Sequence, residues 1–590
     1  MSGKIVRIGG ASGAWGDSPL SIGQLLREDV QYLMMDYLAE VTMSLLARAR
    51  LKDPEAGYPS DFVGYLKPHL AELAKRGIKV ASNAGGVNPA ACKRALEALC
   101  AAQGVNLRVA VVEGDDLMPM LDTLRAEGVR EWVSGAPLPA KMLTANAYLG
   151  AVPIAAAFDA GADIVITGRS ADSALALGIL MHEFGWGPRD YDRLAAGSLV
   201  GHVLECGPQA TGGIFTDWEE VPDWHNIGYP IAECAADGSF VVTKPRDTGG
   251  LVSTRTIAEQ ILYEVGDPAA YFLPDVTADF SNVRLTQEGP NRVRVENTRG
   301  RAPTAQYKVS ATWQDGLRAT AMLTIVGVDA VRKAERSAAA LVERARMIFK
   351  ARGMADFRAV HVEVIGGETS YGDAARRTSR DVMMRLVVEH DDPKALDAFA
   401  RELGSSGLSF AQGTTGLVGG RPKAGPVIRL FTFFIDKARM GKPTVTIGAA
   451  APLAVDVPVD GGYVAPEVLT LPARPASGPM VKVPLLRVAH ARSGDKGDLS
   501  NIAIFARKPE WIDHLRSVVT AERMLDHMKA VAEGPAVRYE APGLAAFNFV
   551  IDKALGGGGM ASLRSDFQGK AYGQRALEME VEVPAAWLAS

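Results

Sequence analysis

The chain has 590 residues, of which 47% are hydrophobic and 22% charged, and a net charge of −4. That balance supports a large core and excludes low-complexity classes; with no Lys/Arg block, neither nucleic acid nor an anionic membrane surface is an expected partner. Its four cysteines (Cys92, Cys100, Cys206 and Cys234) form no C-x-x-C pair, which leaves no zinc knuckle or disulfide framework and points to a reducing cytoplasm.

The chain opens Met-Ser-Gly-Lys and enters a strand at once, without the regions of a signal peptide. The most apolar span, Leu149 to Ile166, is interrupted by Asp159 and Asp163, so no membrane helix is expected. Over 1–275, short β-like runs alternate with longer amphipathic ones, which predicts an α/β domain on a mainly parallel sheet. Strands are expected at Ile5–Ile8, Tyr32–Met35, Ile78–Ala81, Arg108–Val112 and Ile164–Thr167, and helices at Val41–Arg50, Tyr65–Lys75, Pro89–Ala102 and Ala174–Glu183. Over 276–450 the texture turns to β-branched alternation around two helices, Ala330–Lys350 and Pro393–Leu403, which predicts an α+β region. Closely spaced prolines make 451–484 an inter-domain linker. A small C-terminal α+β domain is expected over 485–590, with strands at Leu485–Ala489, Ile502–Phe505 and Leu577–Val583.

Nearly every strand of the first region runs into a Gly-, Asn- or Asp-rich turn, where open α/β sheets hold ligands. The first turn spaces Gly10, Gly13 and Gly16 as G-x-x-G-x-x-G, which is not the dinucleotide fingerprint, and is followed by Asp17. It reads either as a ligand cradle or as a tight strand-to-helix turn. The next joins Asn83, Gly85 and Gly86 to a helix starting at Pro89, an anion or carbonyl site or an Asn-capped turn. Gly168–Ser173 combines Arg169, a planar fork for a carboxylate or phosphate, with Asp172, which can cap the helix or act as a base. Residues 201–213 concentrate His202, Glu205 and Cys206; on a helix His202 and Cys206 share a face, which would activate a thiolate or simply bury an inert thiol. Lys244 and Arg246 precede Gly249-Gly250 and a helix start, a phosphate site or a solvated basic turn. In the last domain, His490–Asn501 joins two strands with a density of charge beyond what a surface hairpin needs for solubility.

Taken together, Gly9–Ser18, Asn83–Pro89, Gly168–Ser173, Glu205–Gly213, Lys244–Gly250 and Ala491–Asn501 resemble the acyclic terpene utilisation protein A (AtuA) family over nearly the whole chain. The resemblance implies a long family domain to about residue 450, a C-terminal ferredoxin-like domain, and a role in bacterial catabolism of citronellol, geraniol and related branched acids through coenzyme A thioesters. No catalytic role is carried over with it. In such a route, cleavage of a 3-hydroxy-3-alkylglutaryl-CoA, or hydration of the preceding unsaturated thioester, needs a base and support for an enolate. Arg169, Lys244 and Arg246 are the candidate cations, and Asp17, Asp172, Glu205 or His202 the candidate base. Gly10, Gly13, Gly16, Asn83, Gly85, Gly86, Lys244, Arg246, Gly249 and Gly250 are the candidate coenzyme A contacts. The leading expectation is a cytoplasmic, homo-oligomeric lyase or hydratase with coenzyme A as part of its substrate, no bound cofactor and no metal. Alternatives are an NAD(P)-dependent oxidoreductase, with Asp36 in the place of a ribose-binding acid, and a non-catalytic assembly subunit.

Overall fold

The computed structural model describes residues 3–588, apart from the side chains of Glu40 and Val41; the opening Met1-Ser2 lies outside the described residues. The first eight strands are β1 (Ile5–Ser12), β2 (Tyr32–Met35), β3 (Lys79–Ser82), β4 (Val109–Glu113), β5 (Thr144–Ala147), β6 (Ile164–Thr167), β7 (Ile231–Ala235) and β8 (Phe240–Thr243). Five of them form a parallel centre in the order β1-β2-β3-β6-β4. β2 and β6 are buried at every residue, as strands covered by helices on both faces must be.

The sheet as a whole has 11 strands and is mixed, which corrects the expectation of a mainly parallel one. Beyond β1 it continues antiparallel through β7, β8, Arg292–Glu296 and Arg284–Gly289; beyond β4 it continues through Thr444–Ile447 and Leu453–Ala454. The reason is local: β7 and β8 are joined by the tight turn at Asp237-Gly238, and a turn that short permits only antiparallel pairing.

A second sheet is organised by the 21-residue strand Gln306–Val326, which pairs with Asp381–His390, Thr414–Leu417, Gly425–Asp436 and β5. The first region therefore lends β5 to the second sheet, and the second region lends Arg284–Glu296 and Thr444–Ile447 to the first. Helix Ala330–Arg352 lies against this sheet through Ala334, Ala338, Leu341, Ala345 and Phe349, one stripe at helical spacing. The helix expected at Tyr65–Lys75 is two, Ser60–Leu66 and Leu70–Arg76, because Pro68 removes a donor and crowds the preceding turn.

The stretch 451–484 is irregular except for Leu453–Ala454 and for Met480–Pro484, which pairs with Glu580–Pro584. The C-terminal domain follows as a four-stranded antiparallel sheet whose first hairpin is Ala489–Lys496 and Leu499–Ala506. Its strand residues alternate between two cores. Ile502, Ile504, Phe547 and Phe549 pack under the domain's own helices, while Ala503, Phe505, Ala541 and Ala546 join the core of the large sheet.

That second face carries polar anchors. Asn501 donates to Leu262 O and accepts from Glu264 N, and Asn548 donates to Val265 O and Gly266 O. Asn501 also donates to the Asn548 side chain at 3.0 Å. Together they satisfy the unpaired backbone at the end of helix Thr254–Ile261. A buried pair, His490 Nδ1 and Glu259 Oε1 at 2.9 Å, and the Arg507–Asp217 ion pair at 2.7 Å complete the docking.

Close backbone approach makes a test of the strand-end packing. A Cβ at Gly85 would stand 2.4 Å from Thr167 O and 2.6 Å from Pro89 Cβ, whereas Gly64, exposed in helix Ser60–Leu66, has nothing within 4 Å. Gly85→Ala is expected to lower stability by about 1–3 kcal/mol and Gly64→Ala to raise it by about 0.5–1 kcal/mol, measured as opposite shifts of the thermal midpoint.

Candidate active site

The carboxyl ends of the parallel strands converge on Arg169, which follows β6 and is 3% exposed. Its Nη1 donates to Leu38 O beyond β2 at 2.6 Å and to Asp172 Oδ1 at 2.8 Å; its Nη2 donates to Tyr148 Oη beyond β5 at 2.9 Å. The guanidinium lies over the Tyr148 ring, 4.2 Å from its centroid. Its backbone N–H donates to Asp115 Oδ2, beyond β4, at 2.8 Å. One residue thus ties four strand exits together, using the planar fork that lysine lacks.

Asp36, the residue after β2, is buried and accepts from Asn83 Nδ2 at 2.5 Å and from Leu38 N at 3.2 Å. Burial, then the charges of Asp172 and Glu205, push its carboxyl well above the usual carboxylate range, against the pull of Asn83 and Arg169. Asn83 also accepts from Tyr37 N at 2.8 Å, so it orients the turn as well as the acid. The place expected for a ribose-binding acid is therefore filled by a carboxyl engaged inside the protein.

His202 and Glu205 lie on and just after helix Tyr191–Leu204. His202 Nδ1 meets Glu205 Oε1 at 2.9 Å and its Nε2 meets Ile261 O at 3.2 Å, a geometry that uses both ring nitrogens as donors. Burial lowers its pKa, but the charge of Glu205 and the hydrogen bond to it outweigh burial and leave it raised. His202 accordingly holds Glu205 in place. Cys206 is not activated by it: enclosure, then the charges of Glu205 and Glu264, push the thiol well up.

In the glycine turns the backbone donors are engaged within the protein. The N–H groups of Gly10, Gly13, Gly85, Gly86, Gly249 and Gly250 are already bonded, to Pro230 O, Asp17 Oδ2, Thr167 O, Asn83 O, Asn226 O and Pro222 O. Gly16, at φ 90°, makes the turn. Asp17 closes it: its carboxylate accepts from Gly13 N, Ser18 N and Tyr229 Oη. Lys244 donates to Thr248 O at 2.6 Å within its own turn, and the exposed Arg246 meets Glu28. The structure brings Arg169, Asp172, Asn83, Glu205 and His202 to one place, and leaves Asp17, Lys244, Arg246 and the glycines in the frame around it.

A cavity of about 600 Å³ opens beside this cluster at the ends of β3 and β4. Its wall includes Leu51, Val87, Met118 and Met142, and Asp115 and Asn146 belong to its lining. Asp115 Oδ2 accepts from Arg169 N and from Asn146 Nδ2, each at 2.8 Å. Its carboxyl takes the space a Cβ on Gly168 would need, 2.5 Å from that position. Burial pushes the Asp115 carboxyl up to about 6, opposed by those two hydrogen bonds. Sequence reading missed Asp115, Asn146 and Tyr148: no motif surrounds them, Asp115 has only its position just beyond the strand expected at Arg108–Val112, and Asn146 and Tyr148 lie in and just after β5, a strand not expected from the sequence.

These features define a mixed α/β protein with carboxyl groups and an arginine at its strand ends beside a cavity, joined to a small antiparallel-sheet domain. The chain belongs to the acyclic terpene utilisation family AtuA, which it matches over residues 6–446; residues 483–582 match the AtuA ferredoxin-like domain. No curated protein and no solved structure matches it. Among the described residues no helix is long and apolar enough to cross a membrane, and no group of His, Cys, Asp and Glu side chains could hold a metal ion.

The raised Asp115 gives a pH test with a definite sign. Folded, the carboxyl keeps its proton up to about pH 6; unfolded, it loses it near its ordinary value of 3.8. The stability this proton contributes is present below pH 3.8 and lost as pH rises through 6, on the order of 3 kcal/mol in all. Asp115→Asn, which keeps an oxygen acceptor and cannot ionise, is expected to gain on the wild type across that window, read as the difference in thermal midpoint at pH 4.5, 5.5 and 7.5.

Proposed function

We propose that the chain is an acid–base enzyme of acyclic terpene utilisation, a lyase or hydratase acting on a branched acyl-CoA. One observation carries the reading: Asp115 lines a cavity of about 600 Å³ with its carboxyl pushed up to about 6, next to the Arg169 cluster. A group with that pKa takes and returns a proton near neutral pH, which both reactions require. The cavity lies in the volume range of small-molecule sites, and its Leu51, Val87, Met118 and Met142 wall suits a branched hydrocarbon.

For cleavage of a 3-hydroxy-3-alkylglutaryl-CoA, Asp115 as carboxylate takes the 3-hydroxyl proton. The C2–C3 bond breaks, its electron pair forms the thioester enolate, and that enolate takes a proton to leave acetyl-CoA and a 3-keto acid. For hydration, the same carboxylate takes a proton from water as the oxygen adds to C3, and C2 is then protonated. Asp36, pushed toward the protonated form by burial and by the charges of Asp172 and Glu205, is the proton reservoir of the cluster. Arg169 holds Asp172 and Asp115 in register, and His202 holds Glu205.

Purified protein offered a 3-hydroxy-3-alkylglutaryl-CoA and the corresponding 3-alkylglutaconyl-CoA, with products followed by mass spectrometry, tests this. Acetyl-CoA release identifies the lyase, interconversion of the two thioesters the hydratase. Asp115→Asn is expected to lower kcat by about 10²–10⁴-fold with KM within a few-fold. Absence of either reaction in the wild type, or an unaffected Asp115→Asn, overturns the proposal. Arg169→Lys, which cannot reproduce the fork, is expected to lower kcat/KM by at least about tenfold in the same assay.

A further inference from the structure

The hairpin Ala489–Ala506 approaches the strand-end region closely. A Cβ on Gly494 would stand 2.6 Å from Glu264 Cγ and 2.8 Å from Tyr263 Cε2, so only glycine admits this contact. Glu264, at φ 58°, holds a backbone conformation that side chains rarely adopt, and its N–H is fixed by Asn501. Its two carboxylate oxygens are divided between Lys570 and Lys496, each at 3.2 Å; burial pushes the carboxyl up, but the charges of Lys496 and Lys570 outweigh it and hold the group down to about 2. Lys570 also reaches Asp495, at 3.5 Å. The acids of this boundary are thus matched by lysines.

Arg492, two residues before Gly494, is not matched. It is 5% exposed, and its hydrogen bonds go to uncharged acceptors, Ile214 O at 3.2 Å and Gln209 Oε1. Its guanidinium lies over the Tyr263 ring at 4.4 Å. Its Nε–H has no hydrogen-bond partner, and no carboxylate among the described residues forms an ion pair with it. A guanidinium buried without a counter-charge is destabilising unless something supplies the charge. The residues around it are those of the Glu205–Gly213 segment: Gln209 binds it directly, and its charge is felt at Cys206. The segment that covers it holds Ile214 in the left-handed region, φ 49°, with its side chain 62% exposed. A β-branched residue in that conformation stores strain that a shift of the segment would release.

We propose that Arg492 of the C-terminal domain is an anion-binding group of the strand-end site, taking a carboxylate or phosphate group of a thioester substrate, with segment 207–216 moving to admit it. The ferredoxin-like domain then supplies part of the site. This deepens the acyl-CoA reading and rests on it for the identity of the substrate, but not for the presence of the subsite.

Calorimetric binding to the full-length chain tests it without turnover, using glutarate and free coenzyme A as probes against wild type, Arg492→Met and Arg492→Lys. Binding of at least one probe is expected to weaken at least about tenfold in Arg492→Met, and partly in Arg492→Lys, which keeps the charge but not the fork. Dependence with glutarate assigns a carboxylate; dependence with coenzyme A alone assigns a phosphate. The thermal midpoint of ligand-free Arg492→Met is expected to rise, because an uncompensated charge has been removed. Equal affinities for both probes in wild type and Arg492→Lys, no binding of either by the wild type, or a lowered midpoint in Arg492→Met with unchanged affinity would overturn the proposal. Loss of thioester turnover in Asp115→Asn with intact Arg492-dependent binding keeps the two readings separate.

Discussion

The strand ends hold their arrangement because one buried residue, Arg169, has partners beyond β2, β4 and β5 as well as in its own turn. Leu38 O, Asp172, Tyr148 and, through the backbone N–H, Asp115 each take one of its hydrogen bonds. A buried cation needs its charge answered, and here it is answered by Asp172 directly while the Leu38 carbonyl and the Tyr148 hydroxyl accept from its Nη atoms. The geometry of the acids follows from this: Asp115 is oriented toward Arg169 N and Asn146, and Asp36 is pushed toward the protonated form by burial and by the charges of Asp172 and Glu205.

The charge distribution around this centre is graded. Asp172 has Arg169, Glu205 has His202, and Glu264 has Lys496 and Lys570. Two carboxyls, Asp36 and Asp115, are left without a directly bonded side-chain cation and are pushed toward the protonated form. Groups driven apart in pKa within one cleft region are what acid–base chemistry uses. Arg492 is the complementary case, a cation without an acid, and it comes from the other domain.

Domain docking and site construction are the same interaction. The C-terminal sheet turns Ala503, Phe505 and Asn501 toward the large domain and Ile502 and Ile504 toward its own helices, a division imposed by the period of two along a strand. Asn501 and Asn548 cap the backbone from Leu262 to Gly266, which carries Tyr263 and Glu264. Loosening that face would move the lysines and Arg492 together, so the polar hairpin His490–Asn501 owes its charge density to what it touches.

What the sequence determined by itself is what depends on neighbours in the chain. The five parallel strands read from apolar runs, the amphipathic helix Ala330–Arg352 read from its stripe, the clustering of polar residues at strand ends, and the six motifs that marked the family were all local signals. Tertiary structure decided the rest. The antiparallel extensions of the sheet depend on which edges later strands find, and the glycine turns proved to be sites of close backbone packing because Thr167, Cys206 and Asp223 lie against them. Asp115 carries no local signature, and Arg492 shows only as one charge in the dense His490–Asn501 loop; the character of both comes from burial and from partners dozens to hundreds of residues away, which spacing along the chain does not encode.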